Sequence, residues 1–391
     1  MPAPRLFVLA AALLAASLAP PPTAAQAVGE RTWTRANDSR TIEFPTTAKG
    51  NKVLAIDTHT HTLFSDGVVW PTVRLWEAEQ DHLAAYAVTD HLEYRPYLAD
   101  VPSQDHNRPY RVAATEAARI KARAHVVPGV EITRHEPYGH FNALFLTDAN
   151  ALPVDTTLRA DPRETLKAAR AQGAFIIWNH AWVLPGLEPG AADPLPAYQR
   201  EILAEGLFDA MEVANSWQVS NDAFQTALTH GLAVIGASDV HTLIDTDTQI
   251  PEGQHRTVTL VLAADESVEG LRQALFAKRT AVLYRQSLYG REAELSEIVG
   301  AALRMPSRKR VTYFLAPDVV EVELTNDASI PLLLRFTSGS PISRPGVVTI
   351  PPHGALAVQF AGVADVAAFA PQVEVLNAFV APDRPLVLTL R

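Results

Sequence analysis

Two histidines one residue apart, His59 and His61, stand in the stretch Asp57-Thr58-His59-Thr60-His61-Thr62-Leu63-Phe64-Ser65-Asp66-Gly67, just after the apolar run Val53 to Ile56. On an extended backbone both imidazoles leave on the same side. Ser65 and Gly67 favour a turn that brings the Asp66 carboxylate back toward them. Nitrogen and oxygen donors converging in this way suit a divalent manganese, iron or zinc ion. The same donor types recur along the chain. Thr89-Asp90-His91 follows the run Leu83 to Val88, and Glu131 follows His125 to Val130. His140 precedes Phe141 to Leu146, while Asn179-His180 follows Ala174 to Trp178. Ser238-Asp239-Val240-His241 follows Leu232 to Ala237. The sequence has no cysteine, so thiolate ligands are excluded.

Helical spacing over Pro71 to His82, Pro162 to Gln172 and Glu266 to Arg279 alternates with these short apolar runs, of which Arg256 to Ala263 is the last strong one. Alternating strands and helices predict an α/β fold with parallel strands and helices outside, a fold that puts its chemistry at strand C-termini. After about residue 300 the texture changes to regularly spaced β-prone runs separated by turn residues. They are Val319 to Leu324, Leu332 to Phe336, Val347 to Ile350, Ala355 to Phe360, Val373 to Leu376 and Leu386 to Leu390. This pattern predicts a small β-sandwich over 301–391, preceded by a catalytic part over 51–300 and an arm over 28–50.

Taken in order, the motifs resemble those of the PHP superfamily (polymerase and histidinol phosphatase). The resemblance rests on Asp57-x-His59-x-His61-Thr62-x-x-Ser65-Asp66-Gly67, Thr89-Asp90-His91, Pro128-Gly129-x-Glu131, His140, Asn179-His180 and Ser238-Asp239-x-His241. It implies a distorted (β/α)7 barrel over 51–300 holding two to three divalent ions (manganese, iron or zinc). One ion would take His59, His61, Glu131 and Asp239. A second would share Glu131 and add His140 and His180, and a third would take Asp66, His91 and His241. Two metals sharing a carboxylate would acidify a bridging water for attack on phosphorus, with Asp239 as the catalytic proton acceptor. The leader described below and the β-rich C-terminal part are most similar to the secreted phosphodiesterases of the Sb-PDE type.

Arg95 is the first candidate to bind substrate, since a guanidinium suits bidentate phosphate contact. Arg256, Asn179, Asn215, Trp182 and Trp217 are further candidates, the last four because they follow strand ends. His82 and His230 fall in helical stretches, and His106, His125, His135, His255 and His353 match no ligand motif. These seven are read as core or surface residues. A diester carries one charge and a monoester two, and the ligand motifs themselves contain no arginine. That favours a small-molecule phosphodiester as substrate. The alternatives are a phosphomonoesterase of the histidinol-phosphate phosphatase type and an inactive exported metal-binding module.

The net charge of −10 argues against nucleic acid or anionic membranes as partners. With 48% hydrophobic and 19% charged residues the chain can bury a large core. Arg5, the apolar run Leu6 to Leu18 and the site Ala25-Gln26-Ala27 read as a signal peptide over 1–27. The run is too short to span a bilayer. Its removal predicts a periplasmic or secreted protein with no stable membrane anchor.

Overall fold

The computed structural model describes residues 40–183, 186–188, 194–248, 255–313, 316–339, 341–342 and 346–391. The leader read in 1–27 and the arm up to residue 39 lie outside the described residues. Eight helices and eighteen strands are described. The first ten strands are β1 (Lys52–Asp57), β2 (Ala85–Val88), β3 (His125–Thr133), β4 (His140–Leu144), β5 (Phe175–Trp178), β6 (Ala210–Asn215), β7 (Gln218–Val219), β8 (Ala233–Ala237), β9 (Val258–Ala263) and β10 (Thr280–Tyr284). The helices are α1 (Pro71–Gln80), α2 (Arg108–Ile120), α3 (Arg163–Ala171), α4 (Ala197–Ala204), α5 (Asn221–Thr229), α6 (Ile244–Asp247), α7 (Val268–Phe276) and α8 (Glu292–Ala302).

Every residue of β2, β5, β6, β8 and β9 is buried, as continuous apolar strands covered on both faces must be. Helix starts follow local chemistry. Pro71 opens α1 where its missing N–H costs nothing, and the Ser220 and Ser267 side chains cap α5 and α7. His82, read as helical, lies just past α1 with φ 59°, and His230 is the residue that caps the end of α5.

β1, β2 and β3 pair in parallel, as do β5, β6 and β8. The two sets are joined through β4, which is antiparallel to both β3 and β5. β3 changes partner along its length, pairing with β2 through Pro128 and with β4 from Gly129 onward. Beyond the strand ends a parallel bridge, Thr60 to Val240, ties the exit of β8 back to that of β1. His61 N donates to Val240 O at 3.1 Å and Asp239 N to His59 O at 2.9 Å. The exits of the first and last parallel strands are thereby fixed side by side. β9 runs antiparallel along β1, and β10 along β9.

The C-terminal strands are β11 (Ser287–Gly290), β12 (Leu303–Tyr313), β13 (Ala316–Asn326), β14 (Leu332–Phe336), β15 (Val347–Ile350), β16 (Gly354–Ala361), β17 (Gln372–Ala381) and β18 (Arg384–Thr389). β12, β13 and β16 form a three-stranded sheet. The remaining strands continue the large sheet, because β11 pairs with both β10 and β17. One buried cluster includes Leu83, Leu260 and Ile298 together with Val320, Val358 and Leu386. Ser39–Arg391 is one compact unit, and α8 runs through the 300/301 boundary expected from sequence.

Close packing beneath the site is tested at Gly236 in β8. An added Cβ would lie 2.6 Å from Val282 Cγ1 and 2.9 Å from Val258 O. Gly236→Ala is expected to cost about 1–3 kcal/mol as an overpacked core position, read as a lower urea midpoint.

Candidate metal centre

All nine candidate ligand residues meet at one end of the sheet. β1, β2, β5 and β8 deliver His59, His61, His91, His180, Asp239 and His241 just past their C-terminal ends. β4 runs the other way, so its first residue, His140, reaches the same end, where it pairs with Thr133 of β3. Asp66 is carried on the loop after β1, which passes so tightly that a Cβ on Gly67 would lie 2.6 Å from the His61 carbonyl carbon. His180 and Asp239 hold positive φ, 26° and 50°. Non-glycine residues rarely adopt this conformation unless their surroundings impose it.

The donor atoms face one another in three adjoining groups: His61, Asp66, His91 and His241; His59, His61 and Glu131; and Glu131, His140 and His180. His59 Nε2 and His61 Nε2 are 3.0 Å apart. Each lies 3.4 Å from Glu131 Oε2, and Asp239 Oδ1 is 3.3 and 3.1 Å from them. Glu131 Oε1 is 3.0 Å from His140 Nδ1 and 3.5 Å from His180 Nε2. Asp66 is 3.4 Å from His91 Nε2 and 3.3 Å from His241 Nε2. Two ligands about 2.0–2.1 Å from one tetrahedral ion are roughly 3.3 Å apart, so this spacing is that of ligands sharing an ion. Although hemmed in by nitrogens, the buried oxygens Glu131 Oε2 and Asp66 Oδ1 have no hydrogen bond of acceptable geometry. The residues therefore fit divalent metal ions.

The outer nitrogens are set by hydrogen bonds. Glu212, wholly buried in β6, meets His59 Nδ1 at 2.7 Å and accepts from His180 N and Asn215 Nδ2. Asp239 O faces His241 Nδ1 at 2.8 Å, and Ser65 Oγ faces His61 Nδ1 at 3.2 Å. A carboxylate or carbonyl that accepts the Nδ1 proton leaves Nε2 free to bind metal. Burial opposes ionisation at each of these groups, and the neighbours prevail at Glu131, Asp66 and His91 but not at His61. His91 and His59 hold the Glu131 carboxyl well below its usual range, and His241 and His91 do so for Asp66. Burial, with His91 and His241 alongside, pushes His61 down to about 3, whereas Glu131 and Asp66 raise His91 to about 10.

Above this floor lies a cavity of about 530 Å³ whose walls include Trp182, Asn215, Trp217 and Asp247 besides the ligands. The structure distributes the sequence-read substrate residues unequally. Asn215 donates to Asp239 Oδ2 at 3.1 Å, and Asn179 to Glu131 Oε1 at 3.0 Å, so both hold candidate ligands in place. Trp217 is 71% exposed at the cavity wall. The expectation for Arg256 is corrected: it is only 2% exposed, and its guanidinium is spent on Asp81 at 2.7 Å and Asp57 at 3.1 Å. Arg95 is not among the cavity-lining residues, and its guanidinium donates to the Phe64 and Ser103 carbonyls. Sequence reasoning missed Glu212. Its signal was a lone carboxylate in an apolar strand, where burial without a partner would be too costly.

The chain is 34% identical to a solved two-domain protein from Bacteroides vulgatus containing a predicted PHP-like metal-dependent phosphoesterase, with a TM-score of 0.77 over 90% of this chain and 98% of that one. The chain belongs to the PHP-like metal-dependent phosphoesterase family. An Ig-like domain family (DUF5001) matches residues 310–391 of this PHP-like protein. Two further structures are much less similar. A proposed metal-dependent phosphoesterase from Bifidobacterium adolescentis is 17% identical over 51% of this chain and 89% of that one, with a TM-score of 0.36. An amidohydrolase from Chromobacterium violaceum with bound sulfate and no metal is 15% identical over 49% and 89%, again with a TM-score of 0.36. No curated protein matches the chain.

The role of Glu212 can be measured. Glu212→Gln keeps the shape but weakens the hold on His59, and is expected to lower metal affinity about 10–100-fold. Titration against a coloured chelator checks this, with circular dichroism unchanged.

Proposed function

We propose that this PHP-like protein is an exported phosphodiesterase acting on small organophosphate diesters with two to three manganese, iron or zinc ions. In this reading the sheet and its helices form a distorted (β/α)7 barrel. The ions divide the ligands as the sequence resemblance implies: His59, His61, Glu131 and Asp239; Glu131, His140 and His180; Asp66, His91 and His241. The observation that carries the proposal is the junction at Glu131, whose two oxygens face separate groups of imidazoles across the floor of one cavity. Ions held there would acidify a water and neutralise the oxygens of a phosphoester. Asp239 turns Oδ1 to His59 and His61, and Asn215 donates to Oδ2; in this reading that carboxylate would accept the proton of the attacking water.

Among the described residues no lysine or arginine lines the cavity. A dianionic monoester would need such groups more than a monoanionic diester does. Export rests on the leader read in residues 1–27. Among the described residues no helix is long and apolar enough to cross a membrane. Hydrolysis of bis(4-nitrophenyl) phosphate and of 4-nitrophenyl phosphate by one metal-loaded sample tests the reading. The diester is expected to give a kcat/KM about tenfold or more higher. The reverse preference would move the protein to the monoesterase branch.

A further inference from the structure

The turn between β6 and β7 spends conformational energy on holding a tryptophan in water. Asn215 and Gln218 pair across it, leaving Ser216 and Trp217 as its two central residues. Ser216 has φ 51°, a left-handed conformation that a non-glycine side chain adopts at a cost. Three bonds from other parts of the chain hold the turn there. Ser216 N donates to Ala237 O at 2.9 Å at the end of β8, and Thr257 Oγ1 donates to Ser216 O at 2.6 Å. The Tyr284 hydroxyl of β10 donates to the Trp217 carbonyl. The neighbouring Asn215 is bonded to Glu212 and Asp239, so the turn is rigidly coupled to the ligand floor. Yet the indole so carefully placed is 71% exposed, on the wall of the cavity it shares with Trp182. Strain imposed at a site edge, on a large apolar group left in water, points to a binding role.

We infer that Trp217 is a specificity-determining platform on which a planar aromatic substituent of the phosphodiester stacks, with Trp182 as a second apolar wall. The inference rests on the phosphodiesterase reading for the identity of the phosphate group. The platform selects diesters bearing an aryl or nucleobase-like ring over simple alkyl diesters of the same charge. Stacking of one ring on an aromatic side chain accounts for about a tenfold preference or more.

The test is calorimetric titration of the manganese-loaded full chain with diphenyl phosphate and dimethyl phosphate, two monoanions that differ in their rings. The full chain is expected to bind diphenyl phosphate about tenfold or more tightly. Trp217→Ala should remove most of that preference while shifting dimethyl phosphate by less than about twofold, and Trp217→Phe should restore it. Metal content, measured in parallel, should not change. A full chain that binds both anions equally, or neither, would overturn the inference, as would an alanine variant that keeps the preference. A preference present in the full chain and lost in Trp217→Ala, with no diester hydrolysed, would support the platform and refute the phosphodiesterase reading instead.

Discussion

Glu131→Gln is expected to strip ions from two of the three ligand groups at once and to lower kcat/KM by about a thousandfold or more, roughly 4 kcal/mol of transition-state stabilisation. The carboxylate presents Oε1 to His140 and His180 and Oε2 to His59 and His61, while Asn179 Nδ2 donates to Oε1 at 3.0 Å. An amide of the same shape removes one negative charge and replaces one metal-binding oxygen by an N–H₂, which has no lone pair to offer an ion. The cavity is filled equally well, so the fold should persist. Metals per chain, kcat/KM and circular dichroism measured on one preparation check this. Full metal content with activity within tenfold would show that Glu131 is not the junction.

Arg256→Met should have the largest effect on stability, about 3–5 kcal/mol, because it leaves buried carboxylates without their cation. Asp57 accepts from Arg256 Nη1, from Ser238 Oγ at 2.6 Å and from Ser238 N at 3.1 Å. Asp81 is held by both Arg256 and Arg40. Asp57 stands two residues before His59, and Ser238 one before Asp239, so the pair fixes the exits of β1 and β8 directly under the ligands. Urea denaturation should show the lower midpoint, and the folded fraction should bind metal less tightly. Arg256→Lys is expected to recover only part of the loss, since an ammonium cannot reach both carboxylates as a fork does.

Most of the candidate ligands were legible in the sequence because they stand at a switch from apolar to polar residues, which is what a strand end looks like; Asp66, on the loop after β1, and Glu131, inside β3, do not. Leu332–Phe336 and Val347–Ile350 were likewise readable to the residue, since their turns are marked by local chemistry. Non-local pairing was not legible. Nothing local says that β4 runs backwards, although His140 standing before its apolar run rather than after it was the trace of that reversal. The pairing of Leu288 with Ala378, which makes the C-terminal strands part of the large sheet, joins residues far apart in the chain. Arg256 was misread for the same reason, as its partners Asp81 and Asp57 lie 175 and 199 positions away. Arg95 is occupied by backbone carbonyls, which every residue carries and no sequence pattern reveals. The amphipathic helix Arg108–Ile120 was in reach of periodicity but carried no ligand and was passed over.

The most direct test of the metal-centred account is to count divalent ions per chain in protein purified from metal-supplemented cells, then assay diester hydrolysis before and after chelation. The account predicts two to three ions, loss of hydrolysis on chelation, and recovery when manganese is restored. A folded chain that binds no ion, or one whose hydrolysis survives their complete removal, would contradict it.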